Sequence, residues 1–106
     1  MWLRLGTFAV KDGQAAELGR IYNEQAIPKV RACAGSIGCL LLEPATKGEP
    51  FLVMTIWDGL PSAEAYEASG TAAEVVALVR PFFAGPPTLR SYESASLAGL
   101  LPAPPA

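Results

Sequence analysis

The chain has 106 residues, 51% of them hydrophobic and 17% charged, with a net charge of -2 and no histidine. This length gives one domain, and eight basic residues scattered from Arg4 to Arg90 form no tract able to follow a phosphate backbone, which argues against nucleic-acid binding. The missing histidine removes the commonest general base and metal ligand, while a charged fraction below the ordinary ~25% predicts a second copy covering the surplus apolar surface, a homodimer.

In chain order, Trp2–Val10 reads as a strand with Leu3, Leu5, Thr7 and Ala9 on one face and Arg4, Gly6, Phe8 and Val10 on the other. Lys11-Asp12-Gly13 ends it. From Gln14 the period becomes helical, with Leu18, Ile21, Tyr22 and Gln25 on one stripe. Pro28 lacks an amide donor and crowds the Glu24 carbonyl, which predicts a kink or a break near Gln25–Ile27 before Val30–Ala34 resume the helix. Cys33 and Cys39 have no second pair and no histidine beside them, so they read as buried free thiols and not as metal ligands, a disulfide being open to them only if the turn between them folds back tightly.

Ile37–Glu43 and Pro50–Trp57 are predicted to be antiparallel strands joined through the turn residues of Pro44–Glu49. The second carries Phe51, Val53, Thr55 and Trp57 on one face and Leu52, Met54 and Ile56 on the other, so both faces of the sheet need cover. Trp57 leads through Asp58-Gly59 into a short helix, Leu60–Ala68, which carries Tyr66 and tolerates Pro61 in its first turn. Thr71-Ala-Ala-Glu74 has the spacing of a capping box opening a third helix to Val79. Pro81 stops that helix, and after a Pro- and Gly-rich loop Thr88–Glu93 forms the last strand.

The order is therefore β-α-β-β-α-β, a domain over residues 1–93. Residues 94–106 are an uncharged, Pro-rich tail whose composition predicts disorder, against which Leu97, Leu100 and Leu101 favour docking. Neither this tail nor Ala32–Leu42 reaches the ~18 apolar residues that span a bilayer. The opening segment also lacks the pattern of a secretory leader, so a cytoplasmic protein is expected.

This element order, with the strand ending on Trp57 and the helix entered through Asp58-Gly59, resembles the antibiotic biosynthesis monooxygenase family from about Trp2 to Glu93. The resemblance implies an α+β, ferredoxin-like subunit with an antiparallel sheet. It further implies that two subunits press their sheets together as a dimeric α+β barrel, each keeping a pocket between its own sheet and helices. A haem-degrading branch carries an Asn on the first strand, a Trp on the short helix and a His on the next. Gly6, Tyr66 and Val76 stand at those positions here, and without the histidine haem degradation is not expected.

A second branch oxygenates electron-rich phenols and hydroquinones without metal or flavin, the substrate anion itself reducing dioxygen. Such chemistry needs an apolar pocket, a means of stabilising the anion, and no cofactor. The expected catalytic residues are Tyr66 and Arg80, and the expected substrate contacts are Trp57, Tyr22, Asn23, Arg4, Val76 and Gly6, around a small aromatic or polyketide-like ligand. Each has a plain structural alternative: core packing for Trp57 and Tyr22, a helix-end charge for Arg80, a snorkelling side chain for Arg4. Glu64 and Glu67 read as solvated helix faces. Three function classes follow: a cofactor-free oxygenase, a non-catalytic dimer binding a small apolar ligand, and a structural or stress-related partner protein. The sequence leaves open whether Phe8, Phe82 and Phe83 fill the pocket.

Overall fold

The computed structural model describes residues 1–97 and residue 99. The elements run β1 (Trp2–Phe8), α1 (Ala15–Ile21), a π turn (Tyr22–Ala26), α2 (Ile27–Arg31), β2 (Ser36–Leu42), β3 (Phe51–Trp57), α3 (Leu60–Ala68), α4 (Thr71–Val79), a 3-10 turn (Arg80–Phe82) and β4 (Thr88–Glu93). The four strands form one sheet in the order β2-β3-β1-β4, and every neighbouring pair is antiparallel. This is the expected ferredoxin-like α+β architecture. The expected docking of Leu97–Leu101 and the end of the tail lie mostly outside the described residues.

The strand pattern sorts the sheet into two faces. Phe8, Phe51 and Trp57 belong to the core, with Val53, Cys39 and Leu41 packed beside them under the helices. The register pairs Leu3 with Ile56, Leu5 with Met54 and Leu40 with Met54 on the opposite face. No described element covers that face, and Leu40 and Leu42 stay 47% and 45% exposed.

Pro28 does not break the first helix. The turn before it widens, the Ile27 amide donating to the Tyr22 carbonyl five residues back, so that the helix absorbs the missing donor with one extra residue and continues as α2. The kink expected at Gln25–Ile27 is thus a π turn that begins at Tyr22, and the helix ends at Arg31, short of the expected Ala34. β1 also stops earlier than expected, at Phe8, with Val10 making only an isolated bridge to Phe83.

The capping box is not formed. Gly70, with φ at 87°, takes the N-cap of α4, and Ser69 Oγ, not Thr71, accepts an amide there, from Thr71 at 3.3 Å. A glycine suits that left-handed position because it has no Cβ to strain. Glu74 is drawn instead to Lys29 on α2, 3.3 Å away. At the other end of the helical layer, a Cβ on Gly35 would lie 2.1 Å from Ser62 Oγ, so only glycine lets the turn before β2 seat under α3. The Asp58 amide donates to the Gly35 carbonyl at 2.9 Å and ties the two corners together. Among the described residues no helix is long and apolar enough to cross a membrane.

Candidate active site

The helices do not cover the sheet evenly. α2 packs on β2 and α3 on β3, which leaves the inner face of β1 and the edge strand β4 beneath only α4 and the Arg80–Phe82 turn. Under that overhang lies a cavity of about 370 Å³, within the ~300–1,000 Å³ usual for small-molecule sites. Its walls are mostly apolar, with Phe8 and Val53 from the sheet and Val75, Val76 and Val79 from α4. Phe8 and Phe83 close one end with ring centroids 4.4 Å apart. Phe82 is buried in the core and does not line the space, so the three phenylalanines do not plug it.

Six of the expected site residues, Arg4, Gly6, Tyr22, Tyr66, Val76 and Arg80, line this one cavity. Trp57 does not. It is fully buried one layer behind, its ring 4.8 Å from that of Tyr66 and its indole N–H donating to Thr55 Oγ1 at 3.1 Å. Asn23 is also elsewhere, in a separate hollow of about 330 Å³ between α1 and the edge strand β2. One residue along a helix turns a side chain through about 100°, which separates it from Tyr22. Sequence reasoning missed Val53 and Glu67 as cavity residues, and it named Phe8 only as a side chain that could fill the space, where the structure has it as a wall. Phe8 shares strand parity with Arg4 and Gly6 and was legible on that ground.

The polar groups gather at the end remote from Phe83. Arg4 reaches across from β1 to form an ion pair with Glu67 on α3, which stays exposed as its helix position predicted. That pair occupies one guanidinium nitrogen, while Arg4 Nε is buried without a partner. Beside Glu67, Tyr66 is 7% exposed, and no described protein group accepts from its hydroxyl. Burial, helped by the neighbouring Cys33, Cys39 and Glu67, pushes its phenol up to about 12. Tyr66 therefore stays protonated near neutrality and is a hydrogen-bond donor there.

Tyr22 differs. Burial drives its phenol far upward, and its hydroxyl already donates to the Leu40 carbonyl at 3.4 Å. It offers the cavity an aromatic face. Gly6 forms part of the floor, where a Cβ would come within 3.3 Å of Leu89 Cδ2. Arg80 lies at the Phe83 end, exposed, with no ion pair among the described residues.

These donors do not suit a haem iron. Val76 presents an isopropyl group, Tyr66 is held as a phenol where iron would need a phenolate, and Tyr22 is already committed to a carbonyl. Cys33 and Cys39 are free thiols, half-buried, and neither lines this cavity.

A ferredoxin-like subunit with a cavity between sheet and helices defines the class. No family model and no curated protein matches the sequence. Solved structures do match in fold. A protein of Bordetella bronchiseptica provisionally named an antibiotic biosynthesis monooxygenase superposes with a TM-score of 0.76 at 19% identity, over 90% of this chain and 97% of its own. One of the same provisional name from Caulobacter crescentus gives 0.74 at 18%, over 90% of each chain. A variant of MhuD, solved with two manganese protoporphyrin IX molecules bound per active site, gives 0.74 at 26% identity, over 91% of this chain and 96% of its own. The fold of this chain is that of the antibiotic biosynthesis monooxygenase family.

Proposed function

We propose that the protein is a cofactor-independent monooxygenase of the antibiotic biosynthesis monooxygenase type, acting on a small aromatic or polyketide-like substrate in the cavity beside Tyr66. The observation that carries this reading is the pairing of two unengaged donors, the Tyr66 hydroxyl and Arg4 Nε, at one end of an otherwise apolar hollow. Such donors stabilise an anionic oxygen where water cannot compete. They do so for the enolate or phenolate of the substrate.

On an anthrone-type substrate the proposed reaction converts an activated methylene to a carbonyl. Loss of a proton gives the substrate anion, which passes one electron to dioxygen. Radical and superoxide then combine to a peroxide that takes up a proton. Loss of the remaining methylene proton breaks the O–O bond and expels water, so one methylene and one dioxygen yield one carbonyl and one water. Tyr66 and Arg4 hold the anion, Val53, Val75 and Val76 exclude solvent, and Arg80 meets the substrate at the other end.

The subunit is proposed to work as a homodimer stacked through the open sheet face of Leu3, Leu5, Met54 and Ile56. The surplus of apolar residues supports this. Oxygen uptake with a panel of anthrones, catechols and hydroquinones tests the activity, and no turnover above the buffer rate with any of them would sink it. The second reading is a dimer that only binds an apolar ligand. It is favoured by Glu67, the one carboxylate of the cavity among the described residues, being engaged by Arg4 and so poorly placed to serve as a base.

A further inference from the structure

We infer that the ligand of this cavity is a planar aromatic carrying a permanent negative charge, such as a carboxylate, with its ring on the Gly6 floor and its charge on Arg80. The inference rests on the cavity being the ligand site of the proposed function, and it adds the class of ligand. Two observations carry it.

The first is an imbalance of charge along the cavity. Arg4 and Phe8 are four residues apart on β1, about 13 Å at ~3.3 Å per residue, and they mark its two ends. At the Arg4 end, the guanidinium is already neutralised by Glu67. At the Phe8 end stands Arg80, lining the cavity and without an acidic partner among the described residues, whereas the third lining cation, Arg90, is paired in register with Leu5 of the opposite sheet face. A neutral ligand would leave that cation unmatched, whereas a ligand acid would meet it as a charge-assisted hydrogen bond.

The second is the shape of the floor. Gly6 sits in mid-strand, where glycine weakens a sheet and often marks close approach by a ligand. A side chain there would rise toward Leu89, its partner on β4. Without one, Leu89 Cδ2 alone leans over Gly6, and as that residue is 74% exposed it can turn aside and bare the strand. A ring can lie on it with its edge against the paired Phe8 and Phe83 rings.

The test uses two fluorescent probes of one shape, anthracene-2-carboxylate and the neutral anthracene-2-carboxamide, titrated onto the full chain without oxygen. The carboxylate should bind about fivefold to tenfold more tightly. Arg80→Gln should make the two equal by weakening only the carboxylate, and Arg80→Lys should restore part of the preference. Gly6→Leu should abolish binding of both, with circular dichroism confirming the fold, and Val76→Phe serves the same end should Gly6→Leu not fold. Equal affinities in the unaltered chain, a preference that survives Arg80→Gln, or binding that survives both blocking variants would each overturn the inference, as would failure of both probes to bind. Absence of oxygen uptake alongside an Arg80-dependent preference would remove the oxygenase and leave this inference standing.

Discussion

Tyr66 lies against Trp57 with ring centroids 4.8 Å apart and planes inclined by 34°. The residue at the cavity wall is thus positioned by one that does not line the cavity. Trp57 is in turn fixed by its bond to Thr55 two residues back on the same face of β3. Trp57→Ala should therefore cost about 3–5 kcal/mol, as for other large core aromatics. Trp57→Phe should cost less, leaving the buried Thr55 hydroxyl without its indole partner, about 1–3 kcal/mol. Urea denaturation would give both values.

The Tyr66 hydroxyl makes a stability prediction of its own. Its ordinary pKa of 10.0 rises to about 12 in the fold, mainly through burial. Between those values the unfolded chain sheds this proton while the folded chain keeps it. The folded state then binds more protons, so stability falls as pH rises from the lower value to the higher. The contribution is complete below pH 10 and declines toward pH 12, by on the order of 2 kcal/mol. Tyr66→Phe should flatten this part of the stability profile measured by urea midpoints, with Tyr22→Phe as the comparison.

Glu67→Gln removes the partner of Arg4. The pair is partly exposed, with side chains 27% and 48% accessible, so the loss of stability should stay below about 1 kcal/mol. Ligand binding should move the other way. An anionic phenol should bind the variant more tightly, because Arg4 is then free for it, and fluorescence titration above the phenol's pKa reads the change.

Gly6→Ala should be tolerated in the fold. The nearest atom to the new Cβ is the tip of Leu89, 3.3 Å away on a residue that is 74% exposed and free to turn outward. Relief of glycine's conformational cost should raise stability by about 0.5 kcal/mol, measured as a small increase in Tm.

Met54→Glu places a charge at the centre of the open sheet face, between Leu5 and Leu40. A stacked dimer cannot bury it unpaired. Light scattering after size exclusion should show a dimer for the unaltered chain and a monomer for the variant, with the near-ultraviolet spectrum of the subunit retained. A monomer in both would remove the dimer from the proposal.

Much of this architecture was legible in the sequence. Period-two patterning in Phe51–Trp57 sorted its residues correctly between the core and the open face, and the same parity in β1 put Arg4 and Gly6 on one wall. The errors share a cause. Thr71 and Glu74 had the spacing of a capping box, but Gly70 could adopt the left-handed conformation that starts the helix, and Lys29 competed for Glu74 from 45 residues away. Glu67 is exposed as expected, but its pairing with Arg4 was not legible because that partner is 63 residues distant. Local pattern cannot supply contacts of that range. Nor could it show that Asn23 would face a different hollow from Tyr22, since that depends on where the edge strand β2 runs beside α1.

The π turn sets a constraint on how the gene can change. Leu18, Tyr22, Ala26 and Val30 are all buried at a strict spacing of four, which in a regular α-helix would drift by about 40° at each step and about 120° in all. The widened turn takes up most of that drift and keeps the two outer members, Leu18 and Val30, facing one way. Losing a single codon among Asn23–Gln25 would keep those outer residues in phase, eleven apart and within about 20° of three whole turns, but the proline would then sit in regular α geometry at a cost of about 3 kcal/mol. Loss of the Pro28 codon would remove the ring and the extra residue together, so the helix could close into regular α geometry with Leu18 and Val30 still in phase. The extra residue and the proline are therefore tied together: one codon removes both, and neither is lost cheaply alone.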